Sequence, residues 1–186
     1  MVKRNCSVFI SGHGTNLLNI LKHTRDYNFP INIKLIVSNN DKAKGNNISK
    51  KYSIPFYFFK KKDLRGTNQL LHILKIKRIS LICLAGYMSI IPKYFLRNFR
   101  GKIINIHPSL LPKHKGLNTY KKVKQNKDKR MGCTTHYVTE ELDSGKIINQ
   151  KWFYTEQQFD ENVLKIRTQK IEHNLYFQSL IKIYRN

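Results

Sequence analysis

With 186 residues, 40% of them hydrophobic, the chain is long enough to bury one sizeable core, and length alone gives little reason to divide it. Its 35 Lys and Arg against 11 Asp and Glu leave a formal charge of +24, a field that attracts nucleic acid, anionic membrane or phosphorylated small molecules without choosing among them. No run approaches the roughly 20 apolar residues that span a bilayer, and the apolar stretch ahead of Gly12 is too short for a signal-peptide core.

Apolar runs of strand length alternate with stretches of helical period, the pattern of a parallel α/β sheet. The first expected strand, residues 7–10, runs into Ser11-Gly12-His13-Gly14-Thr15-Asn16 and then a helix over 17–22. Gly permits tight backbone geometry there, and the N–H groups of a helix start favour an anion such as phosphate. The spacing fits neither a Walker loop nor a dinucleotide fingerprint. An ordinary βα turn, with Thr15 or Asn16 capping the helix, explains the same residues. Further along, strands are expected over 31–37 and 56–59, with a helix over 43–52 between them. A helix over 68–77 follows, then a strand over 79–85 that is apolar throughout, as a strand covered on both faces should be. Pro92 suits the first turn of a helix over 93–98.

The next strand, residues 102–106, brings Asn105 and His107 to one side of its carboxyl end, two residues apart. Pro108 and Pro112 then stiffen the loop that follows. An amide N–H supports charge on a carbonyl oxygen and an imidazole moves protons near neutral pH, so the pair suits acyl transfer; a His that merely packs the loop is the competing reading. In the second half, residues 133–139 and 147–154 read as an antiparallel pair around the turn-like Asp143-Ser144-Gly145. Asp143 belongs to a tight acidic cluster in a chain with only 11 acidic residues. It can orient His107, since a carboxylate favours the protonated imidazole, or it can bond its own turn. Asp160 caps a final helix to about residue 184, with Val163, Ile166, Ile171, Leu175 and Leu180 on or near one face. No repeat or linker divides the chain, so a single domain over residues 1–186 is expected.

Cys6, Cys83 and Cys133 are odd in number and far apart, with no C-x-x-C pair, which fits a reduced, cytoplasmic setting. The basic excess is mostly scattered Lys that travels with heavy use of Asn, Ile, Tyr and Phe, a mixture expected from drift toward A/T-rich codons. Its densest runs, Lys60-Lys61-Lys62 and Lys121-Lys122 with Lys124, contain few interleaved aromatics on which bases could stack.

The segments SGHGTNL, LAGYM, INIHPSLLPKHKGLNTY, THYVTEELDSGKII and RTQKIEH stand in this order. Together they resemble the phosphoribosylglycinamide formyltransferases, folate-dependent enzymes of purine synthesis, from about Ser7 to Tyr176. The resemblance implies a Rossmann-like formyltransferase fold of the α/β class. Its mixed, mostly parallel sheet is flanked by helices, with antiparallel additions in the C-terminal half. It implies transfer of the formyl group of 10-formyltetrahydrofolate to the amino group of glycinamide ribonucleotide, with Asn105, His107 and Asp143 as the catalytic residues and no metal. Gly12, Gly14, Thr15 and Asn16 match the family's phosphate loop, and Gln169 and Glu172 match late-helix contacts to the same ribonucleotide. Folate falls to Met88, Ser89, Ile90 and Ile91, to Asn105, and to Thr139, Glu140, Glu141, Leu142 and Asp143.

Two positions depart from the family. Ser89 stands where Arg is usual, and the family's Arg before the third helix has its near match in Arg65. Methionyl-tRNA formyltransferase shares the trio but carries a second, C-terminal domain for which 186 residues leave no room, and formyltetrahydrofolate deformylase uses a similar trio but normally has an additional N-terminal domain and a loop that differs from HPSLLPKHKGLNTY. Formyltetrahydrofolate deformylation, another formyltransferase activity of the same family, and a basic nucleic-acid-binding relative that has lost catalysis are the competing readings. Small-molecule substrates, no membrane, no specific nucleic acid and a monomer or homodimer are expected.

Overall fold

The computed structural model describes residues 3–59 and 63–185, so the Lys60-Lys61-Lys62 run lies outside the described residues. The chain falls into two compact units, Met1–Ile104 and Asn105–Asn186.

In the first unit the elements are β1 (Arg4–Ile10), α1 (Thr15–Thr24), β2 (Ile31–Ser38), α2 (Gly45–Tyr52), β3 (Phe56–Phe58), α3 (Leu64–Ile76), β4 (Leu81–Leu84) and α4 (Lys93–Asn98). β1 pairs in parallel with β2 on one side and β4 on the other, and β3 extends the sheet beyond β2. Cys6 to Ile10, Leu35 to Ser38 and all of β4 are buried residue after residue, because a parallel sheet has side chains covered on both faces. Phe9 of β1 meets the rings of Tyr87 and Phe95 edge-on at 5.5 and 6.2 Å. α3 begins four residues earlier than the sequence pattern suggests. Asp63 is its N-cap, accepting the Arg65 N–H at 2.8 Å, and Thr67, Leu70 and Leu74 form the buried stripe.

β5 (Lys102–His107) begins in the first unit and ends in the second, which contains α5 (Thr119–Gln125), β6 (Arg130–Tyr137), β7 (Ile147–Tyr154) and α6 (Glu161–Arg185). β6 and β7 are antiparallel, so the chain is mixed α/β and mostly parallel, as its pattern predicts. α6 packs on this pair, and Val123, Met131, Phe159 and Leu164 form a local core beneath α5. Asp160 does cap α6, its Oδ1 accepting the Val163 N–H at 2.8 Å. The expected apolar face needs one correction: Leu175 and Leu180 are fully buried but Ile166 is 54% exposed, and Leu164 and Tyr176 fill the buried stripe instead. Eleven residues, about three helical turns, separate Leu164 from Leu175, so both share the buried side, whereas Ile166 falls on the opposite face.

The β6–β7 connection depends on a glycine. A Cβ on Gly145 would stand 1.8 Å from the Tyr137 carbonyl oxygen, a separation that only backbone movement can relieve. Gly145→Ala is therefore expected to lower stability by about 1–3 kcal/mol in a urea titration and to displace Asp143, two residues earlier.

Candidate active site

β5 ends in the alternation that presents Asn105 and His107 on one side while Ile104 and Ile106 are buried. The His107 ring, 6% exposed, is held at both nitrogens. Nε2 lies 2.9 Å from the His114 carbonyl oxygen. A carbonyl only accepts, so Nε2 carries a proton, and Nδ1, on the Asp143 side, is the nitrogen left to take up a proton and, once protonated, to donate it. Nδ1 lies 3.3 Å from Asp143 Oδ2. That same oxygen accepts the Gly116 N–H at 2.9 Å, and Asp143, 8% exposed, has a left-handed backbone (φ 49°) that the loop contacts hold in place.

Asn105 is oriented by a residue that sequence reasoning missed. His136 donates its Nδ1–H to the Tyr137 carbonyl at 2.9 Å, which leaves the lone pair on Nε2 facing the Asn105 amide nitrogen at 3.3 Å. Burial pushes the His136 pKa down, and this outweighs the opposing pull of the Tyr137 carbonyl and of Asp143, so the ring is neutral and can accept. Its Nε2 is 3.6 Å from Asp143 Oδ1, too long for a hydrogen bond. One amide, two imidazoles and one carboxylate thus converge, with Asn105 Nδ2 and His107 Nδ1 as the candidate donors toward a developing oxyanion. The available signal for His136 was a lone imidazole on a strand of small and apolar residues just ahead of the acidic loop.

The surrounding loops are tied down. Thr134 Oγ1 donates to the Ser109 carbonyl at 2.7 Å and accepts from the Leu111 N–H at 3.1 Å and from Gln150 Nε2 at 2.8 Å. Ser109 Oγ bonds the Lys113 carbonyl at 2.6 Å, and the Leu111–Pro112 peptide is cis. In the acidic loop Thr139 Oγ1 donates to the Glu141 carbonyl at 3.1 Å, while Glu140, Glu141 and Leu142 face solvent. Lys115 Nζ donates to Ser144 Oγ and lies 3.6 Å from Glu141 Oε1; with Glu141 79% exposed, that ion pair contributes little. On α6, Gln169 is half-buried and Glu172 buried. Burial first, and the Glu172 charge second, push the Tyr120 phenol and the Cys133 thiol above their usual ranges.

In the first unit, Gly14 rather than Thr15 or Asn16 occupies the N-cap of α1, in a left-handed conformation (φ 71°) that suits glycine. Gly12 and Thr15 are exposed and Asn16 is buried. Ser11 Oγ accepts the Met88 N–H at 2.7 Å and donates to Asn39 Oδ1 at 2.6 Å, and Asn39 Nδ2 donates to Ser89 Oγ at 2.7 Å. Ser89, where Arg was expected, thereby links the loops after β1, β2 and β4. Met88 and Ile90 are 74% and 64% exposed beside it, and Ile91 is buried. Arg65 lies on the exposed first turn of α3, where it lines an open hollow with Asp63, Asn68 and His72. Among the described residues no group of three His, Cys, Asp or Glu is disposed to hold a metal ion.

The formyl transferase profile matches residues 4–180. The chain belongs to the formyl transferase family. Within this formyl transferase family it is 37% identical to the phosphoribosylglycinamide formyltransferase of Haemophilus influenzae over 93% of this chain and 84% of that protein. It is also 36% identical to the trifunctional purine biosynthetic protein adenosine-3 of Drosophila melanogaster over 92% of this chain, although it spans only 13% of that protein's length. The crystal structure of phosphoribosylglycinamide formyltransferase from Brucella melitensis superposes with a TM-score of 0.90 at 33% identity, covering 98% of this chain and 96% of that one. The fold of this formyl transferase is thus that of phosphoribosylglycinamide formyltransferases.

Proposed function

We propose that this chain transfers the formyl group of 10-formyltetrahydrofolate to the amino group of glycinamide ribonucleotide in purine synthesis, as one formyltransferase domain in the cytoplasm. The convergence of Asn105, His107 and Asp143 within the second unit carries the reading, with the Haemophilus influenzae and Brucella melitensis proteins in support. The family match runs from residue 4 to residue 180, which supports the single domain. Cys6, Cys83 and Cys133 are buried free thiols, with Cys6 Sγ and Cys83 Sγ sharing a hydrogen bond at 3.5 Å, which supports the reduced compartment.

10-Formyltetrahydrofolate supplies the formyl carbon. The ribonucleotide amine forms a bond to that carbon while the carbonyl oxygen gains negative charge. The carbon's bond to the folate nitrogen then breaks, and the proton lost by the amine ends on that nitrogen. Asn105 Nδ2–H and His107 Nδ1–H stabilise the oxyanion, and Asp143 holds the imidazole and assists the proton's passage. Gly12, Gly14, Thr15 and Asn16 hold the phosphate through backbone N–H groups, and Glu172 attracts the amine with Gln169 beside it. For the folate, the first unit offers exposed apolar Met88 and Ile90, with Ile91 buried and Ser89 and Arg65 as polar residues, and the second unit offers exposed Leu142 with Thr139, Glu140 and Glu141. Ser89 engages Asn39 rather than standing free as a long cation would, so less of the folate binding rests on charge at that position.

The test is a steady-state assay with both substrates and a control lacking the ribonucleotide. Acceptor-dependent loss of 10-formyltetrahydrofolate supports the reading; loss at the same rate without acceptor assigns deformylation instead.

A further inference from the structure

The nitrogen that His107 offers to a substrate is decided by a carbonyl belonging to His114, and His114 is not free to place that carbonyl elsewhere. Its backbone is left-handed (φ 55°), a conformation that costs a non-glycine residue about 1–2 kcal/mol and persists only when neighbours fix it. The neighbour is Asp128. His114 Nε2 lies 2.5 Å from Asp128 Oδ2, and the two side chains are 10% and 15% exposed. Lys113 Nζ also approaches Asp128, at 3.4 Å, but is 70% exposed and adds little.

Asp128 is itself anchored on both sides. Its N–H donates to the Val123 carbonyl at 3.1 Å, closing the end of α5, and its carbonyl accepts from Thr155 Oγ1 just past β7. Val123 belongs to the core with Met131, Phe159 and Leu164. Burial pushes the Asp128 carboxyl up, yet hydrogen bonds from His114 and Lys113 outweigh it and hold the pKa below the usual value, so the carboxylate is charged at neutral pH.

We propose that the His114–Asp128 pair is a positioning device for His107: it fixes the His114 carbonyl that takes the His107 Nε2–H and so leaves Nδ1 as the working nitrogen. Neither residue touches substrate in this account. The proposal rests on the functional reading for its effect on rate, but the state of the His107 ring can be measured without it.

The experiment uses the full chain with ¹⁵N-labelled histidine, comparing wild type with Asp128→Ala, Asp128→Asn and His114→Phe. Asp128→Ala and His114→Phe are expected to lower kcat about tenfold, since small misplacements of a reacting group are costly, with KM for either substrate within twofold. Asp128→Asn keeps an oxygen acceptor for His114 and is expected to recover most of the loss. In ¹⁵N spectra the His107 Nε2–H signal, assigned by its absence in His107→Ala, is expected to be protected from exchange in wild type and Asp128→Asn and to exchange faster in the other two. Unchanged exchange and unchanged kcat in folded His114→Phe overturn the proposal, and that variant decides if Asp128→Ala fails to fold. If wild type transfers no formyl group, the functional reading falls while the exchange measurement still decides the positioning role.

Discussion

Replacing His107 by Ala is expected to lower kcat for formyl transfer by about 10³-fold, while the KM of each substrate moves only a few fold. Loss of an oxyanion donor alone costs about 10²–10³ in kcat, and loss of a proton carrier about 10²–10⁴. The two do not multiply, because one nitrogen, Nδ1, serves both roles. The ring contributes little to binding area, being 6% exposed and tied to His114 and Asp143. Steady-state kinetics on a variant with wild-type circular dichroism provide the check. A kcat within tenfold of wild type would remove His107 from the chemistry.

Asp143→Asn is expected to lower kcat by about 10²-fold or more, because the carboxylate that faces His107 Nδ1 is replaced by a neutral amide. Asn is the informative substitution because it tolerates the left-handed backbone that Asp143 adopts. Any loss then reports the carboxylate and not a strained turn. Asp143 Oδ2 meets two groups, the Gly116 N–H at 2.9 Å and His107 Nδ1 at 3.3 Å. An amide can still accept from Gly116 through its oxygen, but it cannot then supply charge to His107. Kinetics at several pH values, with thermal unfolding alongside, separate the rate effect from a folding defect. Wild-type kcat in this variant would mean that His107 works without the carboxylate.

Much of this architecture is legible in the chain because the physics is local. A strand covered on both faces has to be apolar throughout, and β4 is. Two side chains separated by two residues on a strand share a side, which brought Asn105 and His107 together before any coordinates. Asp160 as a helix cap was readable for the same reason, since its carboxylate bonds an N–H three residues away.

The rest was illegible where function runs through the backbone or through distant pairing. α5 escaped notice because Thr119–Gln125 has only Tyr120 and Val123 as apolar residues, and its N-cap, Asn118, makes no side-chain bond to announce it. His114 matters first through its carbonyl, which residue type does not reveal. His136 is identified by the lone pair left when its other nitrogen bonds the Tyr137 carbonyl, a tautomer that exists only in the folded strand. Ser89 read as a missing cation; the fold gives it a hydrogen bond to Asn39 that no spacing rule predicts.

The most direct test of the whole account follows the label in 10-formyltetrahydrofolate carrying ¹³C in its formyl group, incubated with glycinamide ribonucleotide and the purified chain. The expected result is ¹³C in the ribonucleotide as a formamide, formed by wild type and nearly abolished in His107→Ala. Label recovered only as free formate, or formamide formed equally well by the His107→Ala variant, would contradict it.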